Sequence, residues 1–568
     1  MIYYQKYDII NSTKGIYVMQ NLSFKLDRTI WIALLNQNKI IEGCEYFQKY
    51  IHELNKHKRR SEIKDEIKNS KKLFYTTLYK LNEQYIKNED YPNALISSNI
   101  LFKIDNLHIN AIKNYITALA KTNQKDLCKD MIEYLNKITN NDVENYKFIA
   151  EIYNVLKEFS LSIDFMEKYI ESKNDKSSND YNLLGCYYSN QNNNEYNETA
   201  IRNAIKYFLQ AHKQTPNNRL YIENLCIMYP LINDYSNTRK YYDKLLQLGR
   251  FTNDNSFEYS AFCLKMGEFQ EYYNYSDSRF KYSRAPYFPK LKGKKWDCKT
   301  DISDSTLLVH WEQGFGDTIL GIGFIDKLKT FAKNIILVVQ NDLFPLLQNN
   351  NSGIEVIQDR SFDENTIKYD YYIPILDVLK VLNITKEIAN CKTNFINTNS
   401  TNYLKTKEKF KNKYFNNDKL KIGISLFGNN IGNKTRDIPI EKFILLKEIP
   451  NTEFYILNKD FPINNIPEAD RTNITNIGVI FENFNDTACA IENCDIIISC
   501  DNCILNLAGI LNKKTYGIFN WVYEYRWYDL TGEDTGWYKS VKPYINNKMN
   551  NWEPTLKKVV SEICEMTK

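Results

Sequence analysis

The sequence predicts two architectures in one chain: an α-solenoid over residues 1–285, then an α/β unit with Rossmann-like halves over 286–400 and 401–568. Three observations carry this reading. Small residues recur at a spacing of 34 through much of the first half. Short apolar runs alternate with amphipathic stretches through the second half. Between them lies a Pro- and Lys-containing linker, Ala285-Pro286-Tyr287-Phe288-Pro289-Lys290. At 568 residues the chain also exceeds one ordinary domain, which spans about 100–200 residues.

The repeats come first in the chain. Ala204, Phe208, Ala211 and Pro216 place small, aromatic, small and proline at offsets 0, 4, 7 and 12, the second helix and stop of a tetratricopeptide unit. Leu184-Gly185 and Tyr188 supply the preceding helix of the same signature. Stepping by 34 residues gives Ala94, Cys128 and Ser162. The phase then slips by 8 across the polar insert Gln191–Glu195 and resumes at Ala204 and Thr238. Four residues further on stand Ser98, Ile132, Met166, Phe208 and Tyr242. Two packed helices need a small residue where they touch, and a larger apolar one a turn later fills the adjoining groove. One pair buries too little alone, so the pairs must stack. Five units are expected between about 78 and 250, with degenerate ends around Trp31–Tyr50 and Phe257–Tyr273. The concave face of such a stack suits a peptide or a partner protein.

In the second half, strands are expected at Thr306–Trp311, Ile335–Gln340 and Tyr371–Ile375, with a helix over Asp317–Phe331. A helical polar stretch, Asn402–Asn417, precedes a second alternating set. Its strands are expected at Lys421–Leu426, Glu453–Leu457, Asp495–Cys500 and Thr515–Phe519, and its helices at Glu441–Glu448, Asp486–Asn493 and Cys503–Leu511. Such alternation predicts parallel sheets with covering helices. Ligands of these sheets bind outside the carboxyl ends of the strands, so the chemistry is sought in the loops that follow strands.

Three such loops hold candidates. In Trp311-Glu312-Gln313-Gly314-Phe315-Gly316-Asp317, Gly314 and Gly316 permit a tight turn and a close backbone approach. Asp317 stands at the helix start, as a cap or as a general base. The second loop, Phe427–Asp437, carries Asn429, Lys434 and Arg436. Its two cations suit a diphosphate, and a long solvated loop is the alternative. The third, Ser499-Cys500-Asp501-Asn502-Cys503, opens a helix whose free N–H groups can bind phosphate. Asp501 there either caps the helix or reaches a sugar hydroxyl.

Composition removes several alternatives. Near-balance of 74 basic and 69 acidic residues gives a net charge of +5, with no concentrated basic domain of the kind that binds nucleic acid. The cluster His57–Arg60 reads as a solvated helix face. Twelve scattered cysteines in so long a chain do not form a disulfide framework. Neither a signal peptide at Met1–Asn11 nor a transmembrane run is expected, and a cytoplasmic location follows. Cys500-x-x-Cys503 lacks the second ligand pair that zinc requires, no HExxH occurs, and His310 is the catalytic half's one histidine. No metal and no cofactor are expected. The 43 tyrosines suit helix seams with one wet end.

In order along the chain, Glu312–Thr318, Gly428-Asn429 with Arg436 and Ile438-Pro439, Phe484–Ala488, Ile498–Asp501, Leu507-Ala508-Gly509, Tyr525-Arg526-Trp527 and Asp534–Tyr538 form a connected set of motifs. This half resembles the bacterial proteins that join tetratricopeptide repeats to a glycosyltransferase-family-9-like domain, related to the lipopolysaccharide heptosyltransferases. The pairing also looks like that of protein O-GlcNAc transferases. The resemblance implies a GT-B fold with the acceptor on the 286–400 lobe and a nucleotide-sugar donor on the 401–568 lobe. It further implies an inverting, metal-independent transfer to an acceptor hydroxyl, with a protein or glycan-precursor acceptor recruited by the concave face of the repeats. Asp317 would be the base, and Lys434 or Arg436 would hold the leaving diphosphate. Asp501 would orient donor hydroxyls, and Gly314, Gly316, Asn429, Asn502 and Asn506 would complete the donor site. Asn502 and Asn506 stand where that family usually has Thr and His. A non-catalytic scaffold with a degenerate transferase half is therefore the second expectation.

Overall fold

The computed structural model describes residues 28–56, 61–192, 196–249, 251–282, 289, 291–389, 391, 395–428, 436–528, 530 and 532–566. Two compact units make up the chain, Met1–Tyr221 and Ile222–Lys568.

The first unit is a succession of helices with short connections. A helix over 28–36 is followed by Ile40–Lys56, Ser61–Lys87, Tyr91–Ile104, Ile109–Lys121, Lys125–Ile138, Tyr146–Val155, Phe159–Ser172, Ser178–Gln191 and Glu198–Gln214. Side-chain caps start several of them: Asp90, Asn197, and Ser177 in a reciprocal box with Asp180. The 34-residue phase is confirmed by burial. Ala94, Cys128, Ser162 and Ala204, together with Thr238 of the second unit, are all 0% exposed. Buried polar groups at these positions find partners within the repeat: Ser162 Oγ donates to the Ala150 carbonyl at 2.8 Å. At Gly185 a Cβ would stand 2.6 Å from the Phe208 ring, so only glycine lets these two helices meet. Tyr85, Tyr115 and Tyr153 lie buried in the seams, and half-buried Tyr188 donates its hydroxyl to Glu167 at 2.7 Å.

The second unit opens within helix Arg219–Met228, carries the repeat-type helices Tyr235–Gln247, Asn253–Lys265 and Phe269–Tyr275, and continues into two wholly parallel sheets. The first sheet comprises β1 (Lys294–Lys295), β2 (Ile302–His310), β3 (Ala332–Val339), β4 (Glu355–Gln358) and β5 (Tyr371–Pro374), in the order β1-β5-β2-β3-β4. The second comprises β6 (Leu420–Ser425), β7 (Thr452–Ile456), β8 (Ile474–Asn476), β9 (Ile496–Cys500), β10 (Thr515–Phe519) and β11 (Val541–Ile545), in the order β11-β10-β9-β6-β7-β8. An α-helical repeat region followed by two parallel α/β sheets is the expected fold class. Ile422, Ile424, Ile496, Ile498 and Ile518 of the second sheet share one core with Trp552, Leu556 and Val559 of the closing helix Trp552–Met566.

Local differences from expectation fall where the hydrophobic pattern is short or mixed. The helix expected over Asp317–Phe331 ends at Ile322 and resumes as a 3-10 turn, Ile325–Thr330. The helix at 441–448 is a 3-10 helix, Ile440–Glu448. β1, β4 and β8, which are two to four residues long and not fully buried, carry too little alternation to be seen in sequence.

Both sheets place the site. In the first, the chain runs outward from β2 to β3 and β4, then returns to pair β5 with the other side of β2. In the second, it runs from β6 to β7 and β8 and returns to pair β9 with the other side of β6. Each reversal opens a crevice at the carboxyl ends of the two central strands, where ligands of such sheets bind.

Candidate functional site

All three candidate loops leave strands at these reversals. The first leaves β2 through Gln313, whose φ of 60° supplies the left-handed turn. Gly314 is not the turning residue; it donates its N–H to Asp317 Oδ2 at 3.0 Å at the start of helix Phe315–Ile322. Gly316 serves close approach. A Cβ there would lie 3.0 Å from Asn506 Nδ2 and 3.8 Å from the Cys503 Cα, so the leading turns of helices Phe315–Ile322 and Cys503–Ile510 touch.

Asp317 is 8% exposed and is held on two sides. Besides the Gly314 N–H, its Oδ1 is ion-paired with Arg526 Nε. The same guanidinium donates to Gln313 Oε1 through Nη2 and to Glu524 Oε1 through Nη1 at 3.1 Å. Burial pushes the Asp317 carboxyl above its ordinary value, and the Arg526 charge opposes that push.

Asp501 follows β9 and is 5% exposed. Its Oδ1 accepts from Trp527 Nε1 at 2.7 Å, while Oδ2 is buried with no hydrogen-bond partner among the described residues. Burial raises its pKa to about 6, against the pull of Arg436. Arg526 and Trp527 are neighbours in sequence, so one dipeptide holds both carboxylates.

Arg436 and Gly428 come from the β6 loop, and a Cβ on Gly428 would be 3.8 Å from both Arg436 Nη2 and Asn502 Cβ. The Gly428 N–H donates to Asp437 Oδ1 at 3.0 Å and closes the base of that loop. Arg436 Nε is buried without a partner among the described residues. Asn429 and Lys434 lie outside the described residues.

Asn502 is the helix cap. Its Oδ1 accepts from the N–H groups of Ile504 (2.9 Å) and Leu505 (3.2 Å). Its Nδ2 donates to Ser425 Oγ (2.7 Å) and to the Phe427 carbonyl (3.0 Å), tying the β9 loop to the β6 loop. Asn506 is occupied likewise: its Nδ2 donates to the Asn502 carbonyl at 3.1 Å, and its Oδ1 accepts from the Tyr538 hydroxyl at 3.0 Å. Asp501 is thus relieved of capping, and both asparagines have their polar atoms engaged within the protein.

Further residues surround these loops. Glu312 does not face the crevice as a free acid. It is 1% exposed, and its carboxylate takes a two-pronged pair from Arg279 (Nε to Oε2 and Nη2 to Oε1, both 2.9 Å) and the Leu376 N–H at 3.1 Å. Arg279 Nη2 also reaches Asp377 Oδ1 at 2.6 Å. Lys265, from helix Asn253–Lys265, donates to the Tyr523 carbonyl at 2.9 Å and lies 3.9 Å from the Tyr523 ring centre. Burial lowers its pKa to about 8, opposed by the charges of Glu524 and Asp501. Asn233 Nδ2 donates to the Trp521 carbonyl at 2.8 Å. The segment Trp521–Tyr528 is thereby gripped by repeat-type helices at one end, and it grips Asp317 and Asp501 at the other. Nothing in the sequence marks Lys265 or Asn233 for this, since their partners stand 258 and 288 residues away.

His310 stays outside the site, with Nδ1 at 2.8 Å from the Trp311 carbonyl and a pKa lowered by burial. Cys500 and Cys503 are free thiols, and among the described residues no three His, Cys, Asp or Glu side chains gather as a metal site. No described helix is long and apolar enough to cross a membrane.

No family model matches the chain. Protein FlbA of Caulobacter vibrioides is 23% identical over 337 residues, covering 54% of each protein, so the chain spans about half the length of this curated relative. Among solved structures, the glycosyl transferase family 9 protein from Veillonella parvula is 11% identical, covering 48% of this chain and 99% of that one at a TM-score of 0.36. The E. coli ADP-heptose lipopolysaccharide heptosyltransferase II is 12% identical, covering 46% and 100% at 0.34. PilW, a type IV pilus biogenesis factor, is 15% identical, covering 37% and 96% at 0.32. The chain is thus similar to glycosyltransferase-family-9 structures and to helical-repeat proteins, and it joins a helical-repeat region to two parallel α/β sheets.

Proposed function

We propose that the chain is a glycosyltransferase that moves a sugar from a nucleotide-sugar donor to an acceptor hydroxyl, with inversion and without a metal. The observation that carries this reading is the meeting of two buried carboxylates, Asp317 and Asp501, from the reversal points of two different parallel sheets, on the adjacent residues Arg526 and Trp527. In the reaction, Asp317 accepts the proton of the acceptor hydroxyl while that oxygen bonds to the anomeric carbon. The bond from the anomeric carbon to the phosphate oxygen breaks, and the nucleoside diphosphate leaves with the electron pair. Lys434 or Arg436 of the β6 loop neutralises the departing charge, and Asn429 of the same loop binds the donor. The unpartnered Oδ2 of Asp501 accepts from a donor hydroxyl, since a buried carboxylate oxygen without a partner is costly until a ligand supplies one. Residues 286–400 take the acceptor side and 401–568 the donor side. The repeats of 1–285 recruit a protein or glycan-precursor acceptor in the cytoplasm.

A second reading is favoured by one observation: Asn502 and Asn506 spend their polar atoms on internal bonds and add no charge at the helix start. On that reading the unit is a scaffold that binds a nucleotide without turning it over. Donor hydrolysis across a nucleotide-sugar panel, compared with thermal shifts from the matching diphosphates, separates the two. Hydrolysis lost in Asp317→Asn supports the enzyme; a thermal shift without hydrolysis supports the scaffold.

A further inference from the structure

Arg526 enters the crevice from Trp521–Tyr528, a segment with little regular structure that is nonetheless fixed at many points. Its outer end is held by Asn233 at the Trp521 carbonyl and by Lys265 at the Tyr523 carbonyl. Its inner end is held by Trp527 on Asp501 and by Trp537 Nε1 on the Arg526 carbonyl at 2.6 Å. Tyr528 packs edge-on against Phe269 at 5.0 Å and Trp537 at 4.8 Å.

We infer that Arg526 is a positioning residue for Asp317: its guanidinium, fixed on Gln313 and Glu524, pairs with the carboxylate, holds it in place and favours its charged form. This rests on the proposed role of Asp317 as base. A carboxylate has about four lone-pair sites; the Gly314 N–H takes one on Oδ2, and Oδ1 meets Arg526 Nε as an ion pair without a hydrogen bond among the described residues, so each oxygen keeps a site for an incoming hydroxyl. The charged and titratable groups facing Asp317 are Arg526, Glu312, Glu524, Tyr525 and Tyr538. Arg526 is the one cation in that set. Glu312 is neutralised by Arg279, and the tyrosines stay protonated because burial raises them. With Arg526 removed, the Gly314 N–H alone of these contacts opposes burial and the remaining acidic neighbours at Asp317.

The test compares wild type, Arg526→Gln and Arg526→Lys in the full chain. The acidic limb of the pH profile of kcat/KM for donor hydrolysis is expected to move up by about one to three pH units in Arg526→Gln. Arg526→Lys, which keeps the charge but not the fork, is expected to return most of that displacement. The same displacement is read without any activity by a carbon-13 titration of labelled aspartates, with the Asp317 signal assigned by its loss in Asp317→Asn. An Asp317 titration unchanged in Arg526→Gln overturns the inference. So does a loss of UDP-, GDP- or ADP-sugar binding with the acidic limb unmoved, because Arg526 would then be a donor ligand instead. Hydrolysis that survives Asp317→Asn defeats the assignment of the base and leaves the Arg526 measurement standing, so the two failures are distinguishable.

Discussion

The loops that carry Asp317 and Asp501 solve one problem in two ways. Each leaves a central parallel strand at a reversal of strand order and opens a short helix with a buried carboxylate beside it. At the first, the carboxylate itself accepts from the loop backbone and is met by an arginine. At the second, capping passes to Asn502, and the carboxylate keeps one oxygen free. A carboxylate clamped between a backbone N–H and a guanidinium suits proton transfer, whereas one with an idle oxygen in a dry setting suits ligand hydroxyls. On the proposed function the comparison separates reaction from recognition, and it can be broken at specific side chains.

The largest effect is expected from Asp317→Asn, which should lower transfer or donor hydrolysis by about 10²–10⁴-fold and leave the thermal shift from nucleoside diphosphates intact. Equal losses of both in a steady-state assay and a melting assay would erase the distinction between the loops. Next comes Glu312→Gln, five residues earlier in the same loop. It strips a buried partner from Arg279 and should cost about 3–5 kcal/mol of stability, measured by denaturant unfolding. A near-neutral result would show that Glu312 is not the structural anchor.

A third effect concerns pH. Asp501 is more easily protonated folded than unfolded, so its contribution to stability is full below about pH 4 and is lost as pH rises through about 6. Asp501→Asn should flatten the fall in unfolding free energy across that window by on the order of 2–3 kcal/mol, and it should weaken donor binding. If the window is unchanged, Asp501 is not the group titrating there. The smallest effect is expected from Asn502→Ala, about 1–2 kcal/mol for the lost cap, read as a lower unfolding midpoint.

What was legible in the sequence follows the range of the interactions. The repeats were legible because Ala94, Cys128, Ser162, Ala204 and Thr238 each answer to a helix in the same or the next turn of chain, and all five are enclosed. The central strands were legible because burial on both faces leaves continuous apolar runs, as at Ile496–Cys500. Edge strand β11, with an exposed Lys542 and a Pro543, showed no such run. At the site, position after a strand was enough to find Asp317 and Asp501. It did not reveal that Gln313 makes the turn, that Glu312 is consumed by Arg279, or that Arg526 faces Gln313 across 213 residues of chain. Those roles depend on two sheets and a helical repeat meeting, which no local pattern encodes.

The central claim is that Asp317 and Asp501 form one donor-handling, proton-accepting site. It is tested most directly by following donor hydrolysis over a panel of UDP-, GDP- and ADP-sugars with wild type, Asp317→Asn and Asp501→Asn side by side. The account predicts that at least one donor is hydrolysed by wild type, that Asp317→Asn binds it without hydrolysis, and that Asp501→Asn binds it more weakly. Absence of both hydrolysis and any diphosphate-induced thermal shift in wild type would contradict it.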